Sequence, residues 1–272
     1  MTSNLLEGTT DDILRSVLER SESELVVVDP SADVVEALVE IGSDYEDDLP
    51  TLNVVADEGL LKDVMDDFIV ASAAADLVDA GDMTFRNLSD GADNTLLVGK
   101  ESLYALVSAG EHVAALSAED DAFIADAYET YHEVWSEAEP FNLRTPPLGR
   151  VRSTLSEDIG DDVRADFDGV LASLETARGD GDGLDEVTIS LLVAAKNDVL
   201  LYDISKWGED VGIASKATFS RTKTRLEDMG LIDTEKVPID VGRPRLRLKL
   251  GDEKLRGADS GGLASVAHSM LN

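Results

Sequence analysis

Residues 211–226 contain four cations and no carboxylate, the cations being Lys216, Arg221, Lys223 and Arg225. The surrounding chain is strongly acidic, with a formal net charge of -34 over 272 residues. Residues 1–195 hold 45 acidic and 10 basic side chains, whereas residues 196–256 hold 11 and 13. Because clustered Lys and Arg bind phosphates, this distribution predicts a nucleic-acid partner for the region. The alternative is an ordinary solvated helix face.

The elements around these cations are predicted from apolar spacing and capping residues. A helix over residues 184–198 is followed by a short helix that Asp203 caps and Gly212 ends. Ser215 then caps a third helix, which Gly230 closes. Its predicted core positions are Phe219, Thr222, Leu226 and Met229. Two helices joined by a short glycine-containing turn, the second basic on its exposed side, predict a helix-turn-helix that binds double-stranded DNA.

A strand over residues 231–237, a turn at 240–244 and a strand at 245–250 predict a wing after the third helix. The second strand alternates leucines with Arg245, Arg247 and Lys249, so its outward face is basic. Arg243 lies near the hairpin tip, within reach of a phosphate or a minor groove. The alternative is an amphipathic hairpin whose cations are merely solvated.

A wheel of 100° per residue assigns a role to each exposed side chain of the third helix. Arg221 is the first candidate for a base contact, because an Arg fork matches guanine O6 and N7. Ala217, Ser220 and Thr224 share its side and are predicted to contact neighbouring bases or thymine methyl groups. Phosphate contacts, which set register without reading sequence, are predicted for Lys216, Lys223, Arg225, Arg243, Arg245 and Arg247.

The run SKATFSRTKTRLEDMGLI at residues 215–232 resembles the recognition helix and the start of the wing in archaeal and bacterial winged-helix transcription regulators. The whole chain, with an acidic α/β region first and the winged helix last, resembles the haloarchaeal TbsP-like regulators, which are associated with TrmB-type control of central carbon metabolism. The resemblance implies a dimeric transcriptional regulator of metabolic genes. TrmB-like regulators carry the winged helix first, so their sugar-sensing residues are not carried over.

Residues 1–145 alternate short β-branched runs with helical patterns. The predicted strands are residues 25–29, 52–56, 83–88, 95–99 and 113–116. The predicted helices are residues 33–41, 58–80, 102–108 and 119–137. Strands alternating with helices predict a Rossmann-like α/β domain with a mostly parallel sheet.

The predicted carboxyl ends of the strands form a candidate effector site, because open parallel sheets bind ligands there. The candidate residues are Asp29, Ser31, Asn87, Lys100 and Ser102. Lys100 is one of few cations in this half and suits an anion such as a sugar phosphate. Two alternatives stay open: a DNA-associated or protein-interaction protein without sensing, and an enzyme using Mg²⁺ at Asp29 and Asp57 for phosphoryl transfer.

Residues 146–182 are predicted to be a linker with a possible dimerisation helix, since apolar residues recur at helical spacing from Leu155 to Leu174. The partner of that stripe is either the same helix of a second subunit or the neighbouring domain. A GDGDG run at residues 179–183 is predicted to be a flexible break and not a calcium site. Residues 183–251 form the winged helix-turn-helix, and residues 252–272 a flexible tail or a short helix.

Composition narrows the protein class further. The chain has no cysteine and three scattered histidines, so no metal site, cofactor or enzyme activity is expected. No apolar run spans a bilayer and the N-terminus lacks a signal-peptide pattern, which predicts a cytoplasmic protein. Carboxylates spread over a chain of ordinary apolar content suit a halophilic, archaeal cytoplasm at molar salt.

Overall fold

A computed structural model describes residues 5–21, 23–45, 48–88, 91, 94–109, 112–178, 184–240 and 244–271. The chain divides into two compact units. The N-terminal unit comprises Met1–Met65 and Ala73–Leu143, and the C-terminal unit comprises Asp66–Ser72 and Arg144–Asn272. Residues 146–178, expected to be a linker, are therefore part of the C-terminal unit.

The N-terminal part is an α/β fold, as predicted. Its elements are β1 (Leu5–Gly8), α1 (Thr10–Leu18), β2 (Glu24–Val28), α2 (Ala32–Ser43), β3 (Thr51–Ala56), α3 (Glu58–Val64), α4 (Phe68–Ala80), β4 (Met83–Asn87), β5 (Leu96–Val98), β6 (Leu103–Ala109), β7 (His112–Ser117), α5 (Asp121–Glu137) and β8 (Glu139–Pro140). The sequence did not predict β1, α1 or β8. Thr9 and Asp12 begin α1 with a reciprocal capping box.

The sheet of this unit is mixed, in the order β1-β7-β6-β5-β2-β3-β4-β8. The predicted parallel arrangement holds for β2, β3 and β4, while the other pairings are antiparallel. The segments between β5, β6 and β7 are too short for a parallel crossover, which needs a dozen or more residues. The helix predicted at 102–108 is wrong, because this segment is β6 and pairs with β5 and β7.

The C-terminal unit is helical with a small hairpin. Its elements are α6 (Leu148–Asp158), α7 (Asp161–Leu171), α8 (Glu186–Lys196), α9 (Leu201–Val211), α10 (Lys216–Asp228), β9 (Ile232–Val237), β10 (Arg245–Leu250), α11 (Glu253–Arg256) and α12 (Ser260–Leu271). The order α8, α9, α10, β9, β10 is that of the predicted winged helix-turn-helix.

The apolar stripe predicted for one long helix is carried by α6 and α7, which are separated at Gly160 by a positive φ of 146°. Leu155, Val163 and Phe167 of this stripe are buried in a core that also contains α8 and α12. The stripe is thus covered by its own chain, which supports the neighbouring domain, and not a second subunit, as its partner. The predicted flexible break at residues 179–183 lies outside the described residues.

Helix α8 is the centre of the C-terminal unit. Every residue from 187 to 195 is buried, whereas the sequence indicated one inner face. Helices α7 and α12 pack against α8, as do α9, α10 and β10, which accounts for its complete burial. Within the described ranges, no helix combines the length and apolar composition needed to cross a bilayer.

Of the two alternatives for residues 252–272, the structure supports the helix and not the flexible tail, since α12 spans Ser260–Leu271. Leu255 of α11 and Leu263 and Ala267 of α12 are buried in the same core. Asp166 of α7 accepts hydrogen bonds from Lys196 and Ser260, which joins the ends of α8 and α12 to α7. Gly and Ser content suggested flexibility, but the apolar residues at helical spacing decide the outcome.

Candidate DNA interface

Local backbone signals build the helix-turn-helix as predicted. Gly212 ends α9 in the left-handed region with φ 99°, which glycine adopts without strain. The Ser215 hydroxyl accepts a hydrogen bond from the Thr218 N–H at 3.2 Å and caps α10. Asp203 is not the cap of α9, because the helix begins after Leu200 and Asp203 lies in its first turn.

The two helices pack closely at Gly208 of α9. The Phe219 ring of α10 is fully buried and lies where a side chain at Gly208 would be. Because Phe219 and Leu226 are buried, the opposite side of α10 is turned to solvent. The exposed residues of α10 are Ala217, Ser220, Arg221, Thr224, Arg225 and Asp228. Of the predicted core positions, Thr222 is half-buried and Met229 is 38% exposed, so Met229 is not in the core.

Lys223 does not lie on the exposed side, and its assignment to phosphate is wrong. It follows Phe219 by four residues and therefore lies on nearly the same side of the helix. Its side chain is buried and pairs with Glu227 at 2.5 Å, and Glu227 also accepts a hydrogen bond from Thr234 at 2.7 Å. The pair joins α10 to the wing.

The remaining cations of α10 differ in their partners. Lys216 pairs with Glu209 of α9, whose carboxylate also accepts from the Lys216 backbone N–H at 3.3 Å. These bonds lower the pKa of Glu209 and raise that of Lys216, so both are charged at neutral pH. Arg221 donates to Thr218 at 3.4 Å and, among the described residues, forms no ion pair. Arg225 donates to Thr188 at 3.3 Å.

The wing forms, but its basic face is turned towards its own chain. Strands β9 and β10 are antiparallel, and β10 also bridges Leu200 on its other side through Arg247. Arg245 stacks 4.2 Å from the centre of the Tyr202 ring and lies 3.4 Å from the Asp203 carboxylate.

Lys249 lies 2.7 Å from Asp198, and the Nε atom of Arg247 is buried. Arg245 and Arg247, which were predicted to contact phosphates, are thus partly covered by their own chain, and their contact with phosphates stays a prediction. The segment before α9 covers this face of β10. Arg243 lies outside the described residues.

The sequence analysis missed the carboxylates that engage these cations. Glu227 is four residues from Lys223, a spacing that predicts an ion pair within a helix. Glu209 and Lys216 lie on two different helices, and Asp198 and Asp203 are distant in sequence from β10. No sequence signal identifies those pairs.

The five candidate effector residues are not brought together. Asp29, Ser31 and Asn87 lie at the carboxyl ends of β2 and β4, but β5 runs antiparallel to β2, with Val26 opposite Val98. Lys100 and Ser102 consequently lie at the opposite end of the strands, next to the start of β2. There Lys100 is 3.3 Å from Glu24. The prediction that Lys100 and Ser102 share one effector site with Asp29, Ser31 and Asn87 is therefore wrong.

The strand ends provide no evident metal site either. No group of three or more metal-ligating side chains is found in the part of the chain that the structure describes. Asp29 has a positive φ of 47°, and its carbonyl accepts from the Thr95 hydroxyl at 2.8 Å. Asp57 caps α3 through the Leu60 N–H at 3.0 Å. The polar strand ends therefore have local structural roles.

An α/β unit together with a winged helix-turn-helix, whose helix α10 exposes Arg221 and Arg225 to solvent, defines a DNA-binding transcriptional regulator. The family model described as "Transcriptional regulator TbsP-like, N-terminal" matches residues 2–146. The model described as "Transcriptional regulator TbsP-like, C-terminal HTH domain" matches residues 147–268. The chain belongs to the TbsP-like family of transcriptional regulators, which confirms the resemblance inferred from sequence. These families are regulator domains and not enzymes.

Comparison with individual proteins adds little. No curated protein matches the chain. A solved structure described as "Structure of TrmBL2, an archaeal chromatin protein, shows a novel mode of DNA binding" is similar at 16% identity with a TM-score of 0.38. The match covers 51% of this chain and 54% of that one, so the chain spans about half the length of that protein. A similarity this low carries no argument about function.

Proposed function

We propose that this regulator reads a specific operator in double-stranded DNA through the exposed side of α10, with Arg221 as the main base-reading residue. One observation carries the proposal. Arg221 lies on the exposed side of α10, where Asp228 at the C-terminal end is the acidic residue. Arg221 has no carboxylate partner among the described residues, whereas Lys216, Lys223, Arg245 and Lys249 are paired with carboxylates of the chain. A guanidinium fork without a carboxylate partner suits bidentate contact with guanine.

The neighbouring side chains complete the proposed interface. Ser220, Thr224 and Ala217 contact adjacent bases, and Arg225 and Lys216 contact the phosphates on either side. We place the protein in a halophilic archaeal cytoplasm, which its net charge of -34 supports. At molar salt, counterion release contributes little, so binding depends on direct contacts and shape.

Selection from a random DNA library in molar KCl tests this function. We expect a single motif, palindromic if the protein binds as a homodimer, with half-sites about 10–10.5 base pairs apart or a multiple of that spacing. Arg221→Glu should abolish selection. Lys206→Glu is the matched control, since it makes the same charge change on α9, at an exposed lysine paired with Asp210. Failure to recover a motif with the unmodified protein would contradict sequence-specific binding.

A second proposal concerns sensing by the N-terminal unit. The Oδ1 atom of Asn87, at the end of β4, is buried without a hydrogen-bond partner among the described residues. Ser31 at the end of β2 makes no capping bond with its side chain. A small polar metabolite with a donor group suits this edge. Thermal shift against neutral and phosphorylated metabolites is the test, and a shift retained in Asn87→Ala would exclude this site.

We also propose that the target genes are metabolic. This proposal rests on the resemblance to regulators associated with TrmB-type control of carbon metabolism. Mapping of the bound chromosomal sites, with Arg221→Glu as the non-binding control, tests it. If the bound sites are not enriched near metabolic genes, this proposal is contradicted.

A further inference from the structure

We infer that the open face of the β6–β7 hairpin is the surface through which two copies of this chain associate. The open face is defined by Ala105 and Val107 of β6, Ala114 and Leu116 of β7, and Phe123 of α5. It belongs to the N-terminal unit, whereas the proposed DNA interface belongs to the C-terminal unit. This inference gives a location to the dimer that the proposed function assumes.

The open face breaks the usual rule for a half-covered antiparallel sheet. Such a sheet alternates apolar residues towards the core with polar residues towards water. In β7, Val113 and Ala115 point to the core and are buried, while Leu116, next to Ala115, is 51% exposed. Val107 of β6 is 44% exposed. Both sides of the hairpin are therefore apolar, although only one is buried.

The exposed apolar residues are neighbours in the sheet. Ala105 is directly opposite Leu116, and Val107 is opposite Ala114, which places Val107 diagonally next to Leu116. Phe123, 58% exposed at the start of α5, lies across a groove from Leu116. This groove has a volume of about 530 Å³ and a mostly apolar lining. Contiguous exposed apolar surface of this kind marks an interaction site.

The location of α5 explains why this face is open. The helix packs on β2, β3, β5 and β6, with Ile124 in a core shared with Val26 and Val98. Leu116 of β7 lies at the margin of this covered area, so much of its side chain is left exposed. A partner is needed to bury the rest.

Charge indicates which partner. The chain carries 57 acidic residues, so contact between two copies elsewhere on the surface would bring carboxylates together at distances that molar salt does not screen. Residues 102–118 contain a single acidic residue and no Lys or Arg. Asp126 is the one charged residue among those that line the groove. An apolar surface of low charge packs best against another surface of low charge. The open face of a second copy is such a surface, because a two-fold dimer pairs the same surface of both subunits.

The alternative surfaces of the chain are less suited to self-association. The apolar stripe of α6 and α7 is already buried within the C-terminal unit. The other exposed large apolar residues in the described part of the chain are Val78, Tyr202, Met229 and Ile239. Tyr202 is stacked with Arg245, and the others are dispersed over α4, α10 and the wing. In the described part of the chain, only the open face presents three such residues together.

Site-directed crosslinking tests the inference directly, because the chain has no cysteine. Leu116→Cys should give covalent dimers in molar KCl with a bismaleimide whose reach matches the spacing of packed sheets, about 10 Å. Val78→Cys is the matched control, since Val78 is an exposed valine on α4 of the same unit. It should remain uncrosslinked.

Mass measurement provides the second readout. The unmodified protein should have twice the chain mass of 29.1 kDa in light scattering. Leu116→Asp should raise the dimer dissociation constant about tenfold or more, because it places like charges across the interface, whereas Val78→Asp should not. Both substitutions are at exposed positions, and circular dichroism checks that each variant is folded.

Three outcomes would overturn the inference: a monomeric unmodified protein, equal crosslinking at both positions, or a dimer that Leu116→Asp leaves intact. A monomer that binds an apolar dye, with loss of dye binding in Leu116→Asp, would assign the groove to a small apolar molecule instead. Because neither readout uses DNA, a dimer that selects no motif would contradict the proposed function and leave this inference standing.

Discussion

The carboxylate of Glu209 binds both the backbone N–H and the ammonium group of Lys216, at the first residue of the recognition helix. A helix N-terminus flanked by a lysine is a favourable site for a DNA phosphate. Glu209 occupies that site from within the protein. DNA must therefore displace this carboxylate before Lys216 and the start of α10 contact the backbone, which lowers non-specific affinity.

Glu209→Gln should strengthen binding to DNA of any sequence. It removes the negative charge with which Lys216 is paired. The Lys216 ammonium group is then available for one more contact with a DNA phosphate. The slope of log K against log salt should become steeper by about 0.9, the value for one additional phosphate. Fluorescence anisotropy over a KCl series measures both quantities.

Asp210→Asn is the matched control for Glu209→Gln. It removes the same charge from the next residue but acts on Lys206, with which Asp210 pairs at 2.6 Å. Equal changes in salt slope for the two variants would show that overall charge, and not the contact with Lys216, determines the effect.

Arg221→Ala should relax the choice of base at one operator position. The expected loss of discrimination is about 1–3 kcal/mol at that position. Arg225→Ala should instead weaken binding to all sequences by a similar factor, since Arg225 is assigned to a phosphate. Quantitative binding to a set of single-base operator variants separates the two patterns. Uniform weakening by Arg221→Ala would reassign this residue to the backbone.

Gly208→Ala should destabilise the C-terminal unit by about 1–3 kcal/mol, because the added methyl group overlaps the buried Phe219 ring. Gly257→Ala is the matched control, since its nearest neighbours are at 3.6 Å and its φ is -88°. The control should change the free energy of unfolding by less than about 0.5 kcal/mol. Urea unfolding followed by circular dichroism measures both, and equal stabilities would contradict the close packing of α9 on α10.

The Tyr128 phenol should make stability depend on alkaline pH. Burial, the hydrogen bond to Glu24 and the charge of Glu24 raise the pKa of Tyr128 from 10.0 to about 12. A raised pKa means that the folded state holds the proton more tightly. This contribution to stability is complete below pH 10 and is lost as the pH rises towards 12.

The difference in unfolding free energy between the unmodified protein and Tyr128→Phe should therefore shrink from pH 10 to pH 12. Tyr131→Phe, on the same helix, is the control for the loss of a tyrosine hydroxyl group from α5. A pH-independent difference for Tyr128→Phe would contradict the shifted pKa.

Leu263→Ala should destabilise the C-terminal unit by about 2–5 kcal/mol, since Leu263 of α12 is fully buried. Ser265→Ala, at an exposed position of the same helix, should be close to neutral. Thermal and urea unfolding provide the comparison. A negligible effect of Leu263→Ala would show that the C-terminal helix is not part of the core.

Features encoded within a few neighbouring residues were predictable from the sequence. Gly212, Ser215 and the spacing of Phe219 and Leu226 determine where the recognition helix begins and which side is exposed, because caps and helical periodicity act over short distances. The charge contrast between the two parts of the chain identified the same region. The resemblance to TbsP-like regulators agreed with these signals, and the family matches confirm it.

Tertiary structure decided features that depend on residues distant in sequence. Residues 103–109 suit a helix or a strand, and pairing with β5 and β7 makes them a strand. The antiparallel direction of β5 moved Lys100 away from Asp29. Tertiary structure also decides which cations are paired within the chain. Glu209, Asp203 and Asp198 approach Lys216, Arg245 and Lys249 only when the helices and strands are packed, because an ion pair forms only at short distance.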